Sequence, residues 1–139
     1  MTMRVLVTGG AGLIGSNLAH RLIGQGIETI VVDNLWRGKE DNLMDQGVPI
    51  IDLDQEFFRY DLTDYKSCLE LTKGIDVVIH LADVVAGINF VFSNQLFVYR
   101  NNIIINSNML NAAIEHNVHK YIYVGTACSY PMDKQNSLN

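Results

Sequence analysis

The sequence predicts an α/β fold: a doubly wound parallel sheet of about five strands with helices on both faces. Three observations carry this expectation. Short β-branched runs alternate with stretches of helical apolar spacing along the chain. The strand runs are almost continuously apolar, as strands covered on both faces must be. The first run passes straight into TGGAGLIGSN (8–17), which opens an amphipathic segment. With 139 residues, 48% of them apolar and 18% charged, the chain is sized for one domain with a real core.

Each element can be justified in turn. MRVLVTG (3–9) is a β-branched run ending in glycine, read as a buried strand. From Gly12 to Gly24 the residues Leu13, Ile14, Leu18, Leu22 and Ile23 recur at helical spacing, and Gly24 and Gly26 are expected to stop the helix. ETIVVD (28–33) is the second strand, and NLWRGKEDNLMDQGVP (34–49) is a loop with room for one helical turn. FFRYDL (57–62) reads as the third strand, and TDYKSCLELTK (63–73) as a helix capped by Thr63 or Asp64. IDVVIHLA (75–82) is the fourth strand, 95–117 one long helix, and KYIYVGTA (120–127) the fifth strand. This alternation gives βαβ units with right-handed crossovers.

Composition excludes several classes. A net charge of −5 without a basic stripe argues against nucleic acid as a partner. Cys68 and Cys128, sixty residues apart with no CxxC pair, suggest neither a disulfide framework nor a zinc site, and fit a reducing compartment. No signal peptide is evident, and the most apolar window, 76–92, is interrupted by Asp76, His80, Asp83 and Asn89, so no membrane span is expected. The expected location is the cytoplasm.

The glycine stretch has the spacing and context of a phosphate cradle for a dinucleotide. Gly9 is expected to allow the sharp turn out of the strand. Gly12 lets the backbone approach a pyrophosphate, and Gly15 lets the helix pack closely on the sheet. Leu13 and Ile14 belong to the same contact set, in the first helical turn, where backbone N–H groups and the helix dipole favour an anion. Asp33 ends the second strand 18 residues beyond Gly15, where a carboxylate accepts bonds from ribose hydroxyls and repels a 2′-phosphate. Asn34 joins it. NAD is therefore expected ahead of NADP, with Arg37 the residue that would favour the latter. The plain alternative for Asp33 is a loop cap.

With these residues in view, the chain resembles the N-terminal part of the extended short-chain dehydrogenase/reductase family, the NAD(P)-dependent nucleotide-sugar epimerases, dehydratases and reductases. TGGAGLIG, YDLTD (60–64), HLADVVAG (80–87), NNIIINSNML (101–110) and YVGTACSYP (123–131) agree with it in order. The resemblance implies a Rossmann-type sheet, incomplete at its C-terminal side. It places Asp61 and Leu62 against the adenine, Leu81 and Ala82 along the pyrophosphate side, and the family asparagine at Asn102. It gives Thr126 the catalytic hydroxyl role and, by likeness to the GDP-sugar branch, gives Cys128 the part of acid/base cysteine. Asp83 departs from the pattern, because the family keeps a small residue there and a carboxylate disfavours the phosphates.

Each of these has a plainer alternative. Thr126 would be a β-branched strand end, Cys128 a buried small hydrophobe, and Asn102 a solvent-facing helix residue. His80 is expected to be a strand-end histidine with a backbone partner, and Phe97, Ile104 and Ile105 core or helix–helix surface. The one Tyr-x-x-x-Lys, Tyr130 to Lys134, lies too close to Thr126 to be the family's catalytic pair, and Pro131 interrupts it. Residues 1–139 are therefore expected to form the N-terminal portion of an NAD(P)-binding domain, without the pair and without the C-terminal substrate domain, and to be inactive alone. The full-length partners implied are a nucleotide sugar and a second copy docked through the 95–117 helix. A non-catalytic NAD-binding sensor or interaction module is the second reading.

Overall fold

The computed structural model describes residues 2–126 and 129–131. Five parallel strands form the central sheet: β1 (Arg4–Thr8), β2 (Glu28–Val32), β5 (Phe57–Phe58), β6 (Val77–His80) and β7 (Lys120–Tyr123), in the order β5-β2-β1-β6-β7. The chain builds outward from β1 on one side, then returns to pair β6 with its other edge. The topological switch point thus lies between β1 and β6, beside the glycine stretch that follows β1.

Strict alternation within the strands loads both faces. On β2, Ile30 and Val32 join Leu6, Val78, Cys68 and Met109 beneath α2 (Tyr65–Thr72) and α4 (Gln95–Glu115). Val31 between them points the other way, into a second cluster with Ala11, Ala19, Leu43 and Ile51, on the side covered by α1 (Leu13–Gly24).

Four elements differ from the sequence expectation. The third strand is two residues long, because β5 pairs only Phe57 and Phe58 with β2 and the chain from 59 to 62 peels away from this edge. The fifth strand likewise ends at Tyr123. The stretch 34–49 holds the expected helical turn, as a 3-10 turn (Glu40–Leu43), but follows it with a small antiparallel hairpin, β3 (Met44–Asp45) with β4 (Val48–Pro49). A short helix, α3 (Ile88–Ser93), precedes α4.

Helix ends follow local chemistry. Asp64 caps α2, its carboxylate accepting from the N–H groups of Lys66 and Ser67. Gly24 is still helical, and the stop comes two residues later: Gly26 has φ +74° and donates to the Ile23 carbonyl at 2.9 Å, while Ile27 reaches back to Leu22 at 3.1 Å.

Candidate functional site

A cleft with a cavity volume of about 1020 Å³ opens at the C-terminal ends of β1, β2, β6 and β7. It is lined by Gly9, Gly12, Leu13, Ile14, Gly15, Asp33, Asn34, Arg37, Asp61, Leu62, Leu81, Ala82 and Thr126. Residues chosen from five separate stretches of sequence thus meet at one place. Cys128 and Lys134 lie outside the described residues, and Tyr130 is exposed and does not line the cleft.

The glycines work by different means. Gly9 has φ +65°, and a Cβ there would sit 3.0 Å from the backbone of Ala82. At Gly12 a Cβ would meet only the Gly9 carbonyl, at 3.2 Å, so this position faces open space. It is also the N-cap of α1 and supplies no side-chain acceptor, which leaves the first-turn donors to a ligand. Gly15 lets α1 lie close to the end of β1: a Cβ there would strike Gly9 and Gly10, the turn that leaves the strand. Sequence reasoning passed over Gly10, where a Cβ would lie 2.5 Å from Val31 Cγ1. The buried face of α1 is Gly15, Ser16 and Ala19, while Leu13 and Ile14 are 81% and 66% exposed, the reverse of a core stripe.

Asp33 is both loop cap and cleft residue. One carboxylate oxygen accepts from Leu35 N–H at 2.9 Å, the other from Ala11 N–H at 3.1 Å, tying the end of β2 to the glycine turn. Leu35 takes φ 60°, an uncommon conformation for a side chain of its size, held by this bond and by Asn34 accepting from Trp36 N–H at 2.9 Å. Gly38, a second residue the sequence reading missed, lets this carboxylate in: a Cβ would stand 2.8 Å from Asp33 Oδ2.

Two contacts cross the mouth of the cleft. The Arg37 guanidinium donates to the Val85 carbonyl at 2.6 Å, and the Trp36 ring meets Phe90 at 5.8 Å. Arg37 is thereby engaged by the loop opposite. On the near wall, Asp61 accepts from the N–H and hydroxyl of Thr63 at 2.9 and 2.8 Å.

Asn102 does not line the cleft. Its Oδ1 accepts from Val84 N–H at 2.7 Å and its Nδ2 donates to the Val84 carbonyl at 3.4 Å, clamping the far loop onto α4. Phe97 and Ile105 do line it, although Ile105 also belongs to the core and only Phe97 is largely exposed. Asp83 stands in the cleft wall, and burial pushes its carboxyl above the usual range, against the pull of the Val84 N–H. Cys68 is no nucleophile: it is buried, its thiol pushed up to about 12 by burial and by Asp64 and Asp61.

The fourth strand's histidine departs from expectation. His80 is 1% exposed and its partners are side chains, Thr8 Oγ1 at 2.8 Å from Nδ1 and Asn106 Oδ1 at 2.9 Å from Nε2.

A parallel sheet whose switch point underlies a glycine turn and an uncapped helix N-terminus defines the class of doubly wound nucleotide-binding α/β proteins. Within that class, the chain belongs to the NAD dependent epimerase/dehydratase family, whose sequence profile matches residues 5–138. It is 36% identical over 137 residues to GDP-mannose 3,5-epimerase 1 of Oryza sativa subsp. japonica, covering 99% of this chain and 34% of that protein. The UDP-glucose 4-epimerase of Thermus thermophilus, solved in complex with NAD, superposes with a TM-score of 0.73 at 34% identity, over 90% of this chain and 38% of that one. The UDP-N-acetylglucosamine 4-epimerase of Methanobrevibacter ruminantium M1, in complex with UDP-N-acetylmuramic acid, gives 0.82 at 28% identity, over 100% of this chain and 43% of its own. The chain spans about a third of the length of the curated relatives it matches. No helix among the described residues is long and apolar enough to cross a membrane.

Proposed function

We propose that the cleft binds NAD and that the chain is the cofactor-binding part of an enzyme that transiently oxidises a hydroxyl of a nucleotide sugar. The observation that carries this is the convergence of the glycine turn, Asp33, Asp61, Ala82 and Thr126 on one cleft at the switch point. The cradle suits a diphosphate: Gly12 offers no Cβ into the opening, and the α1 N-terminus offers backbone donors. NAD bound there supplies the hydride acceptor.

The chain's own residues then divide the work. Gly9, Gly12, Leu13, Ile14 and Gly15 hold the pyrophosphate, with Leu81 and Ala82 opposite. Asp33 and Asn34 take the adenosine ribose, and Asp61 and Leu62 the adenine. Thr126 hydrogen-bonds the sugar hydroxyl, and Cys128 carries a proton when a carbon is inverted. Asn102 acts from behind, by fixing Val84. NAD is preferred over NADP because the Asp33 carboxylate meets the ribose and Arg37 is committed to the Val85 carbonyl. The complete enzyme is proposed to be a cytoplasmic homodimer joined through α4.

Trp36 lines the cleft and is the single tryptophan of the chain, so its fluorescence reports occupancy. Titration with NAD is expected to give a saturable change, with NADP weaker and Gly12→Val, still folded, unresponsive. A silent titration with NAD overturns the reading, and equal affinity for NADP overturns the preference.

A further inference from the structure

We propose that His80 is a positioning residue of the cofactor cleft: as its neutral Nε2–H tautomer it locks the Leu81–Ala82 turn to helix α4 through Thr8 and Asn106. The inference rests on the NAD reading above and adds what holds that cleft in shape.

The proton count leaves one arrangement. Thr8 Oγ1 accepts from Leu81 N–H at 3.1 Å and from Ala82 N–H at 3.0 Å, which uses both its lone pairs. Its own proton is then directed to His80 Nδ1 at 2.8 Å, so Nδ1 carries none. Nε2 carries the ring proton and donates it to Asn106 Oδ1 at 2.9 Å, and Asn106 Nδ2 reaches the Tyr123 hydroxyl at 3.5 Å. Thr8 and His80 are 0% and 1% exposed, so water does not substitute for these bonds.

The network joins the ends of β1, β6 and β7 to α4. Its output is the backbone of Leu81 and Ala82, the same backbone that stands against Gly9 in the cleft floor. The separation between glycine turn and opposing wall is therefore set by Thr8, and the orientation of Thr8 by His80.

A second proton on the ring breaks the arrangement. Nδ1–H would face an oxygen with no lone pair left. The groups facing the ring are Thr8 from β1, Asn106 from α4, and Tyr121 and Tyr123 from β7, their rings 5.8 and 6.1 Å away. None is a carboxylate that would welcome the imidazolium. Burial holds the His80 pKa below its ordinary value, the Asn106 bond opposing. Its contribution to stability is thus present above the unfolded value of about 6.5 and is lost as pH falls toward the folded one.

The test combines NAD titration of the chain with amide exchange. Thr8→Val strands two backbone donors and is expected to weaken NAD binding by about tenfold or more, while Thr8→Ser binds like the parent. Asn106→Asp sets a carboxylate against Nε2–H and favours the imidazolium, so the pH at which NAD affinity falls on acidification should rise by about one unit. Unchanged affinity in a folded Thr8→Val, or an unchanged midpoint in Asn106→Asp, overturns the proposal. If Thr8→Val does not fold, the Asn106→Asp midpoint decides. Exchange protection at Leu81 and Ala82, kept in Thr8→Ser and lost in Thr8→Val, needs no NAD. A parent chain that ignores NAD therefore defeats the cofactor reading alone, whereas unchanged protection in Thr8→Val defeats this one.

Discussion

Gly38 shows how a residue without a side chain governs one with a charge. A methyl group there would stand 2.8 Å from Asp33 Oδ2 and 2.9 Å from the Ala11 carbonyl carbon, in the space the carboxylate needs. Gly38→Ala is expected to push Asp33 off Ala11 N–H and weaken NAD binding about fivefold, near 1 kcal/mol for one displaced hydrogen bond, which calorimetric titration would measure. An unchanged affinity would mean that the carboxylate moves without consequence. Residues of this kind mark the limit of reading a sequence. The places of Asp33 and Gly12 in the cleft were legible because strand, turn and helix surround them locally in a known spacing. Gly38, Gly10 and Thr8 were not, because each matters through a neighbour in space: Asp33, Val31 and His80 respectively. His80 does end its strand as the pattern predicts, but nothing local reveals that its ring partners are Thr8 and an asparagine 26 positions on.

Elements were legible where periodicity was long and poorly legible where pairing decided them. Helix α4 and strands β1, β2 and β6 follow from their apolar runs. The length of β5 follows only from how much of its neighbour it can pair with, and the sequence of 57–62 carries no sign of that. In α1 the apolar pattern predicts the helix, and Ile23 packs on the core, but the fully buried positions are the small residues Gly15, Ser16 and Ala19, which let the helix lie close. The β3–β4 hairpin hid in a polar stretch. Its two turn residues, Gln46 and Gly47, both have positive φ, 51° and 82°, the pattern of a tight hairpin that favours Asn-Gly. Glutamine is the misfit of the pair. Gln46→Asn is expected to stabilise the chain by about 0.5 kcal/mol, a rise of a degree or more in Tm by calorimetry. A fall in Tm would show that the turn is held by something other than its backbone preference.

At the scale of the molecule, α4 carries two apolar faces. Ile105, Met109 and Ala112 turn into the core, while Leu96, Tyr99, Ile103, Leu110 and Ile114 recur at near-heptad spacing on the exposed side. That second stripe supports the proposed homodimer. Sedimentation of the chain should show twice the 15.6 kDa mass, and Ile103→Glu with Leu110→Glu should return the monomer. A monomer at all concentrations would remove α4 from the interface.

The order of the strands has one more consequence, in time. Strand β1 sits at the centre of the sheet, yet its second partner β6 begins only at Val77. Thr8 meets His80 across 72 residues of chain. At a synthesis rate of about 5–20 residues per second, that interval is roughly 4–15 s. Pairing β1 with β2 under α1 needs only the stretch from Arg4 to Val32, at which point the wall facing Gly9 does not yet exist. The glycine turn is thus made well before the wall that gives it its final shape. Until Val77–His80 arrive, one edge of β1 stands open to any extended strand nearby, so an aggregation hazard during synthesis falls on the strand that leads into the glycine turn.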